Sequence, residues 1–155
     1  VRIEDIAHHL SSMCRFSGAT REFYSVAQHS WYVSRFCDTD WALEGLLHDA
    51  DEAYLPDMVR PLKYTDEMKP YREWGKLAQA AINKAFGLRT EHHPSIKDAD
   101  NRMAATEGLA LVTNYVNTEG YSVYPDIIIE PWRSTDAEEL FIARYHYLTT
   151  VSARR

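Results

Sequence analysis

A basic excess is missing from this chain. Its 155 residues carry 17 Lys and Arg against 23 Asp and Glu, for a net charge of -6 and a pI near 5.6. Nucleic-acid binders usually show a basic surplus or stripe, so nucleic-acid polymers are not expected as partners. An anionic ligand would need a local cluster of cations or a metal ion. Long hydrophobic runs are missing too. No stretch approaches the roughly 18 to 20 apolar residues of a membrane span, so no membrane partner is expected, and no secretory signal is visible. Cysteine is scarce: Cys14 and Cys37 lack metal-motif spacing, and one pair does not make a disulfide framework. Both are expected to be reduced core thiols of a cytoplasmic protein. No repeat and no low-complexity linker divides the chain. It opens on Val1 rather than Met, which leaves room for a preceding segment.

What is there reads as one domain over residues 1–155, long enough for one sizeable core and too short for two comfortable ones. Hydrophobic residues at 45% and charged residues at 26% are ordinary for a soluble globular protein. Helical periodicity dominates. Ile3, Ile6, Ala7, Leu10, Met13 and Cys14 form a first amphipathic face. Ser25 is an N-cap for a second helix that turns Val26, His29, Val33 and Phe36 inward. Asp40 can cap a third, running to about Tyr54 and stopped by Pro56. Pro70 suits the first turn of a fourth helix that ends at Gly87. Pro94 opens a fifth through Ala99, Met103, Leu109 and Val112, and Thr135 with Glu138 makes a capping box for a last helix to about Val151. "YSVYPDIIIEPW", interrupted by Pro125 and Pro131, reads as extended chain or a short edge strand. The fold class expected is all-α, a single-domain bundle of six or seven helices.

The chemistry begins in "LEGLLHDADEAYLPDMVRPLK". Leu43, Leu46, Leu47, Ala50 and Ala53 mark a buried helical face, and His48 and Asp49 sit beside it with Glu52 one turn on. Desolvating such groups costs several kcal/mol without compensation. Neighbours on a helix diverge by about 100°, so they converge only on something seated between helices. A divalent metal takes both imidazole nitrogen and carboxylate oxygen. His29 on the preceding helix and Asp100 in "KDADNR" are the further ligands. His29, His48, Asp49 and Asp100 make a mixed nitrogen and oxygen set suited to Mn, Co, Fe, Ni or Zn rather than calcium. Spacing alone leaves a hydrogen-bonded core histidine as the alternative.

The pattern His29, His48-Asp49, Asp100 resembles the H…HD…D signature of the HD-domain metal-dependent phosphohydrolase superfamily. "CRFSGATREFYSVAQHS", "LLHDADEAYLPDMVRPLK" and "HHPSIKDADNRMAATE" are similar, in order and spacing, to the YfdR/YfbR-like 5′-deoxynucleotidases and the phage DatZ dATP triphosphohydrolases. The likeness covers roughly Ile3 to Leu111. It implies Glu52 as catalytic acid/base, with a surface glutamate as the alternative, and Arg15 and Lys63 as phosphate ligands. It implies Asp57 at the sugar 3′-hydroxyl or leaving group, and Phe16 against deoxyribose where some relatives carry tryptophan. Arg60 is a neighbouring cation that could assist. His8-His9 and His92-His93 have no counterpart among the family's ligands and read as surface or capping residues. Asp51 and Asp98 point off-face, and Trp31, Trp41 and Trp74 read as core or oligomer contacts.

The activity implied is hydrolysis of the 5′-phosphate ester of a small-molecule deoxynucleotide, adenine favoured. Deoxynucleoside is released with phosphate or triphosphate, with a second Mg or Mn on the phosphates as a further cofactor. A homo-oligomer is expected from the family's habit. Two alternatives stay open: an HD phosphodiesterase on a cyclic or signalling nucleotide, and a non-catalytic nucleotide-binding module. A metalloprotease is set aside because HExxH is absent.

Overall fold

The computed structural model describes residues 1–91, 93–117 and 119–152, without the side chains of residues 60 and 152. The expectations for His92 and for the Arg60 side chain therefore lie outside the described residues. Among these residues the fold is a single all-α domain: α1 (Ile3–Ser12), α2 (Val26–Phe36), α3 (Ala42–Leu46), α4 (Arg60–Lys63), α5 (Lys69–Phe86), α6 (Pro94–Leu111) and α7 (Ser134–Ser152). Three short 3-10 turns accompany them, at Arg15–Gly18, Thr39–Trp41 and Ala50–Ala53. No described strand forms, only isolated bridges between Cys14 and Ser25 and between Thr20 and Val112. No described helix is long and apolar enough to cross a membrane.

The middle of the bundle is α2, against which α1, α3, α6 and α7 all pack. It is buried nearly all round, with Gln28, His29, Ser30 and Ser34 as well as Val26, Ala27 and Val33 out of solvent. Polar side chains survive there because most find partners. Gln28 Nε2 donates to the Glu130 carbonyl at 2.8 Å while its Oε1 accepts from Trp132 N at 2.9 Å. Ser34 Oγ donates to the Trp31 carbonyl at 2.7 Å and accepts from Arg144 Nε at 3.0 Å. Close approach of α3 depends on Gly45, where a Cβ would lie 2.7 Å from Cys37 Sγ and 3.3 Å from Ser34 Cα.

Several punctuation residues behave as expected. Ser25 Oγ accepts from Gln28 N at 3.1 Å and starts α2. Pro70 lies in the first turn of α5, which Gly87 ends at φ 64°, and Pro94 opens α6.

Other expectations are corrected. The third helix does not run to Tyr54: α3 stops at Leu46, a turn spans 47–49, and Ala50–Ala53 is 3-10. Trp41 rather than Asp40 stands at the N-cap of α3, and Asp40 lies inside a 3-10 turn that Asp38 precedes. Phe36 is not inward but 40% exposed; Trp74, read as a core or oligomer contact, is 59% exposed, which leaves only the second of those readings. Met13 and Cys14 fall just past α1 and are only half-buried. Thr135 makes no capping box, because α7 begins at Ser134 and the Glu138 carboxylate instead meets exposed His8 Nδ1 at 3.0 Å. Of the two readings of residues 121–132, extended chain or a short edge strand, the strand does not form and the segment has no regular structure. Their backbone groups are taken by side chains, Gln28 as above and Thr106 Oγ1 accepting from Tyr124 N at 3.0 Å.

Candidate metal centre

His48 and Asp49 sit in the turn that breaks the chain between α3 and the 3-10 segment. Leu47 (φ -104°, ψ 15°) and Asp49 (φ -108°, ψ 21°) occupy the bridge region of backbone space. His48 Nδ1 takes the Gly45 carbonyl at 2.9 Å, a helix-ending contact made by the side chain itself. This kink lets two sequence neighbours aim at one point, which a continuous helix would not.

His29 arrives from α2 and Asp100 from α6. His48 Nε2 lies 3.1 Å from Asp49 Oδ2, and His29 Nε2 lies 3.9 Å from the same oxygen. Donor atoms of His29, His48 and Asp49 all fall within 4.8 Å of one another, so this group could hold a metal ion. Asp100 stands at its edge, with Oδ1 3.2 Å from His29 Nε2 and 3.9 Å from His48 Nε2. Its other oxygen is held by Lys97 Nζ at 2.8 Å.

The chemistry of the donors fits a divalent cation. Both Nε2 atoms are buried without a hydrogen-bond partner, although carboxylates surround them. Both Nδ1 atoms are committed elsewhere, His48 to a carbonyl and His29 to Glu107 at 2.9 and 3.1 Å. Acceptors on Nδ1 select the tautomer whose Nε2 lone pair is free, and a carboxylate behind a histidine is a common metal-site arrangement. The cluster's field favours a cation. Burial pulls the His48 imidazole down, but Asp49 and then Asp100 push harder, raising it to about 9. Burial would likewise raise Asp49 and Asp100, yet the neighbouring imidazoles hold both carboxyls below their ordinary range.

Beside the cluster opens a cavity of about 590 Å³, within the size range of small-molecule sites. Arg15, Phe16, Asp49, Glu52, Asp57, Lys63 and Asp100, seven of the nine residues singled out from sequence, line it. His29 lies behind the wall, and His48 faces a smaller cavity of about 240 Å³ that shares Asp49 and Asp100. Glu52 is 6% exposed, with Oε2 unpartnered and Oε1 3.6 Å from Lys63 Nζ. Burial, then Asp49 and Asp57, push its carboxyl up to about 10. Lys63 Nζ is also 3.6 Å from Asp57 Oδ1. Asp51 points away as expected, toward Gly75, where a Cβ would lie 2.9 Å from its Oδ2.

Arg15 and Phe16 reach the cavity from consecutive positions because the backbone turns left-handed after Arg15. Phe16 (φ 52°), Ser17 (φ 51°) and Gly18 (φ 78°) follow one another in that region. For a non-glycine residue the conformation costs about 1–3 kcal/mol and persists only when the surroundings enforce it. Here Arg15 N donates to the Tyr24 carbonyl at 2.8 Å and Ala19 N to the Phe16 carbonyl at 2.9 Å. Phe16 stands edge-on to Tyr115, with ring centroids 6.2 Å apart.

Sequence reasoning missed Glu107 and Tyr24. Glu107 is fully buried and accepts from Tyr24 Oη at 2.7 Å and from His29, with Arg15 Nε 3.1 Å away. Burial and the adjacent carboxylate push the Tyr24 phenol well above its ordinary value, so its hydroxyl stays a donor. The available signal was helical phase, since Glu107 lies two turns beyond Asp100 on the same face. Lys97 was missed as well, one turn before Asp100.

Fold and site together define an all-α protein with a His/Asp cluster able to hold a metal beside a cavity lined by charged side chains of both signs. No protein-family model matches the chain. It is similar to the uncharacterized protein YfdR of Escherichia coli (strain K12), 41% identical over 105 residues that cover 68% of this chain and 58% of that protein. It is also similar to an uncharacterized protein of Rhodobacter capsulatus, 39% identical over 97 residues covering 57% of this chain and 49% of that one. The chain thus spans about half the length of the curated relatives it matches. The likeness supports kinship with YfdR and brings no activity with it.

Proposed function

We propose that the protein is a metal-dependent phosphohydrolase of the HD-domain type, cleaving the 5′-phosphate ester of a deoxynucleotide. The observation that carries this reading is the pair of buried, unpartnered imidazole nitrogens of His29 and His48, converging with Asp49 and Asp100 at the wall of a cavity that also presents Arg15 and Lys63. His29, His48, Asp49 and Asp100 would hold the ion, in keeping with Mn, Co, Fe, Ni or Zn. A divalent ion there supplies Lewis acidity toward a phosphoryl oxygen and toward water.

The chain's own groups do the rest. Arg15, 12% exposed and kept charged against the pull of burial by Glu107 and Asp49, offers a planar donor edge to phosphate oxygens. Lys63 adds a second positive charge. Glu52, buried and aimed at the cavity, holds or moves the proton during attack of water on phosphorus. The P–O5′ bond breaks as the new P–O bond forms, and O5′ leaves with a proton as the deoxynucleoside hydroxyl. Asp57 is close enough to Lys63 to position the sugar hydroxyl or leaving group, and Phe16 supplies an apolar face for deoxyribose.

Free nucleotides rather than polymers suit a net charge of -6 and a small local cation cluster. Adenine as the base, a further Mg or Mn on the phosphates, and self-association belong to the same reading. The deciding experiment assays dNMPs, dNTPs and their ribo counterparts with several metals, resolving products by phosphate chain length. Metal-dependent release of deoxynucleoside supports the reading. Nucleotide binding without turnover, turnover confined to cyclic nucleotides, or degradation of single-stranded DNA overturns it.

A further inference from the structure

Glu107 joins the two halves of the site. It does not itself line the cavity and is fully buried, with His29 Nδ1 at 2.9 Å, Tyr24 Oη donating to it at 2.7 Å, and an ion pair to the cavity-lining Arg15, whose Nε lies 3.1 Å away without hydrogen-bond alignment. The contacts close a ring. Arg15 N donates to the carbonyl of Tyr24, whose hydroxyl donates to the carboxylate that meets the Arg15 side chain. Arg15 is thereby held at its backbone and at its guanidinium by the same partnership, immediately before the left-handed turn at Phe16, Ser17 and Gly18. Arg15 Nη1 is left 3.9 Å from Asp49 Oδ2, facing the metal cluster.

We infer that Glu107 is a positioning residue that sets the distance between the metal and the phosphate by gripping His29 and Arg15 with one carboxylate. A carboxylate has two oxygens and about four lone-pair sites, enough for all three partners at once. A glutamine side chain has one acceptor oxygen and an amide that repels the Arg15 and His29 donors. An amide oxygen at the place of Oε2 could face both His29 Nδ1 and Arg15 Nε, but the amide nitrogen would then stand at the place of Oε1, 2.9 Å from His29 Nδ1 and 2.7 Å from Tyr24 Oη, and the charge that pairs with Arg15 would be gone. Tyr24 supports the grip by fixing which way the carboxylate lies.

The inference rests on the metal and phosphate roles proposed above, so its test reads binding rather than turnover. Wild type, Glu107→Gln, Glu107→Asp and Tyr24→Phe are titrated with cobalt(II) alone, followed by visible absorption. Each is then titrated with inorganic phosphate in the cobalt-loaded state by calorimetry, with folding checked by circular dichroism. Glu107→Gln should lose about 10- to 100-fold in cobalt affinity, the usual cost of removing a partner behind a ligand. It should show an altered cobalt spectrum and lose phosphate affinity as well. Glu107→Asp should recover part of the first loss, and Tyr24→Phe should weaken both by about threefold, the worth of one hydrogen bond. A folded Glu107→Gln with both affinities at wild-type level overturns the inference, and so does loss of cobalt with phosphate affinity intact. If Glu107→Gln does not fold, Tyr24→Phe decides, and two unchanged affinities overturn it. Loss of both affinities in a protein that hydrolyses no deoxynucleotide leaves this coupling standing and removes the hydrolase reading. A wild type that takes up no cobalt removes both.

Discussion

On the α2–α6 side of the cavity, Glu107 meets three donors within 3.1 Å and none of it reaches solvent. On the side formed by residues 52–63, Lys63 stands 3.6 Å from both Glu52 and Asp57, too far for a hydrogen bond to either, and is 30% exposed. The first wall has most of its polar groups paired within the protein before any ligand arrives, His29 Nε2 and Arg15 Nε excepted. The second keeps its charges near one another but uncommitted, and one of its carboxyls is buried with an orphan oxygen. The proposed catalysis needs both kinds: a frame that fixes where the ligand lies, and groups whose protons and contacts are free to change.

The largest effect should come from removing the metal ion proposed to lie between the walls. Exhaustive chelation, or His48→Ala, should abolish turnover, and chelation should be reversed by adding metal. Elemental analysis of His48→Ala should find no bound transition metal. Full activity in either case removes the cluster from the mechanism.

Next is Glu52→Ala, which should slow turnover by about 10²- to 10⁴-fold, the usual range for a general acid or base. Phosphate affinity should stay within a few-fold of wild type, measured by single-turnover kinetics and calorimetry. If metal is lost with the side chain, Glu52 is a ligand and belongs to the frame.

Glu107→Ala should cost about 3–5 kcal/mol in a denaturant titration, because it leaves Arg15, Tyr24 and His29 buried without their partner. A loss below about 1 kcal/mol would mean that the α2–α6 wall is no more committed than its opposite.

The metal-free protein should also show the free wall in its pH dependence. Glu52 carries a proton in the fold up to about 10, far above an ordinary carboxyl. Between those values the folded state binds more protons than the unfolded one, so Glu52's contribution to stability is full in acid and falls as pH rises. Thermal melts of wild type against Glu52→Gln from pH 5 to pH 9 should diverge in that direction. Parallel curves would show that Glu52 ionises normally.

The smallest change is Asp57→Ala. Its half-exposed, loosely set pair with Lys63 should be worth less than about 1 kcal/mol by the same denaturant titration.

Much of this protein is legible one element at a time. Ser25, Pro70, Gly87 and Pro94 act within a turn or two of their own position, so their effects on helix starts and stops can be read directly. His29, His48, Asp49 and Asp100 stand out because ionisable groups beside apolar stripes need compensation, and the fold gathers all four. The segment carrying His48 is misleading. Its apolar spacing continues smoothly to Ala53, but the helix breaks after Leu46, where the His48 side chain meets the Gly45 carbonyl, a contact that no periodicity encodes. Phe36 fails for a related reason: phase tells which residues share a face, not whether a neighbour covers it. Its neighbours Tyr32 and Tyr124 leave its outer side open.

The sequence by itself determined the all-α class, most helix boundaries and the identity of the residues with metal-ligating chemistry, because each depends on local spacing and side-chain type. Only the tertiary structure decided that His48 and Asp49 converge through a kinked turn, that Arg15 and Phe16 share a wall, and that Glu107 stands behind both His29 and Arg15. Those facts depend on which distant helices meet. The contact that joins residue 29 to residue 107 is set by the packing of α2 on α6, and no periodicity within either helix contains it.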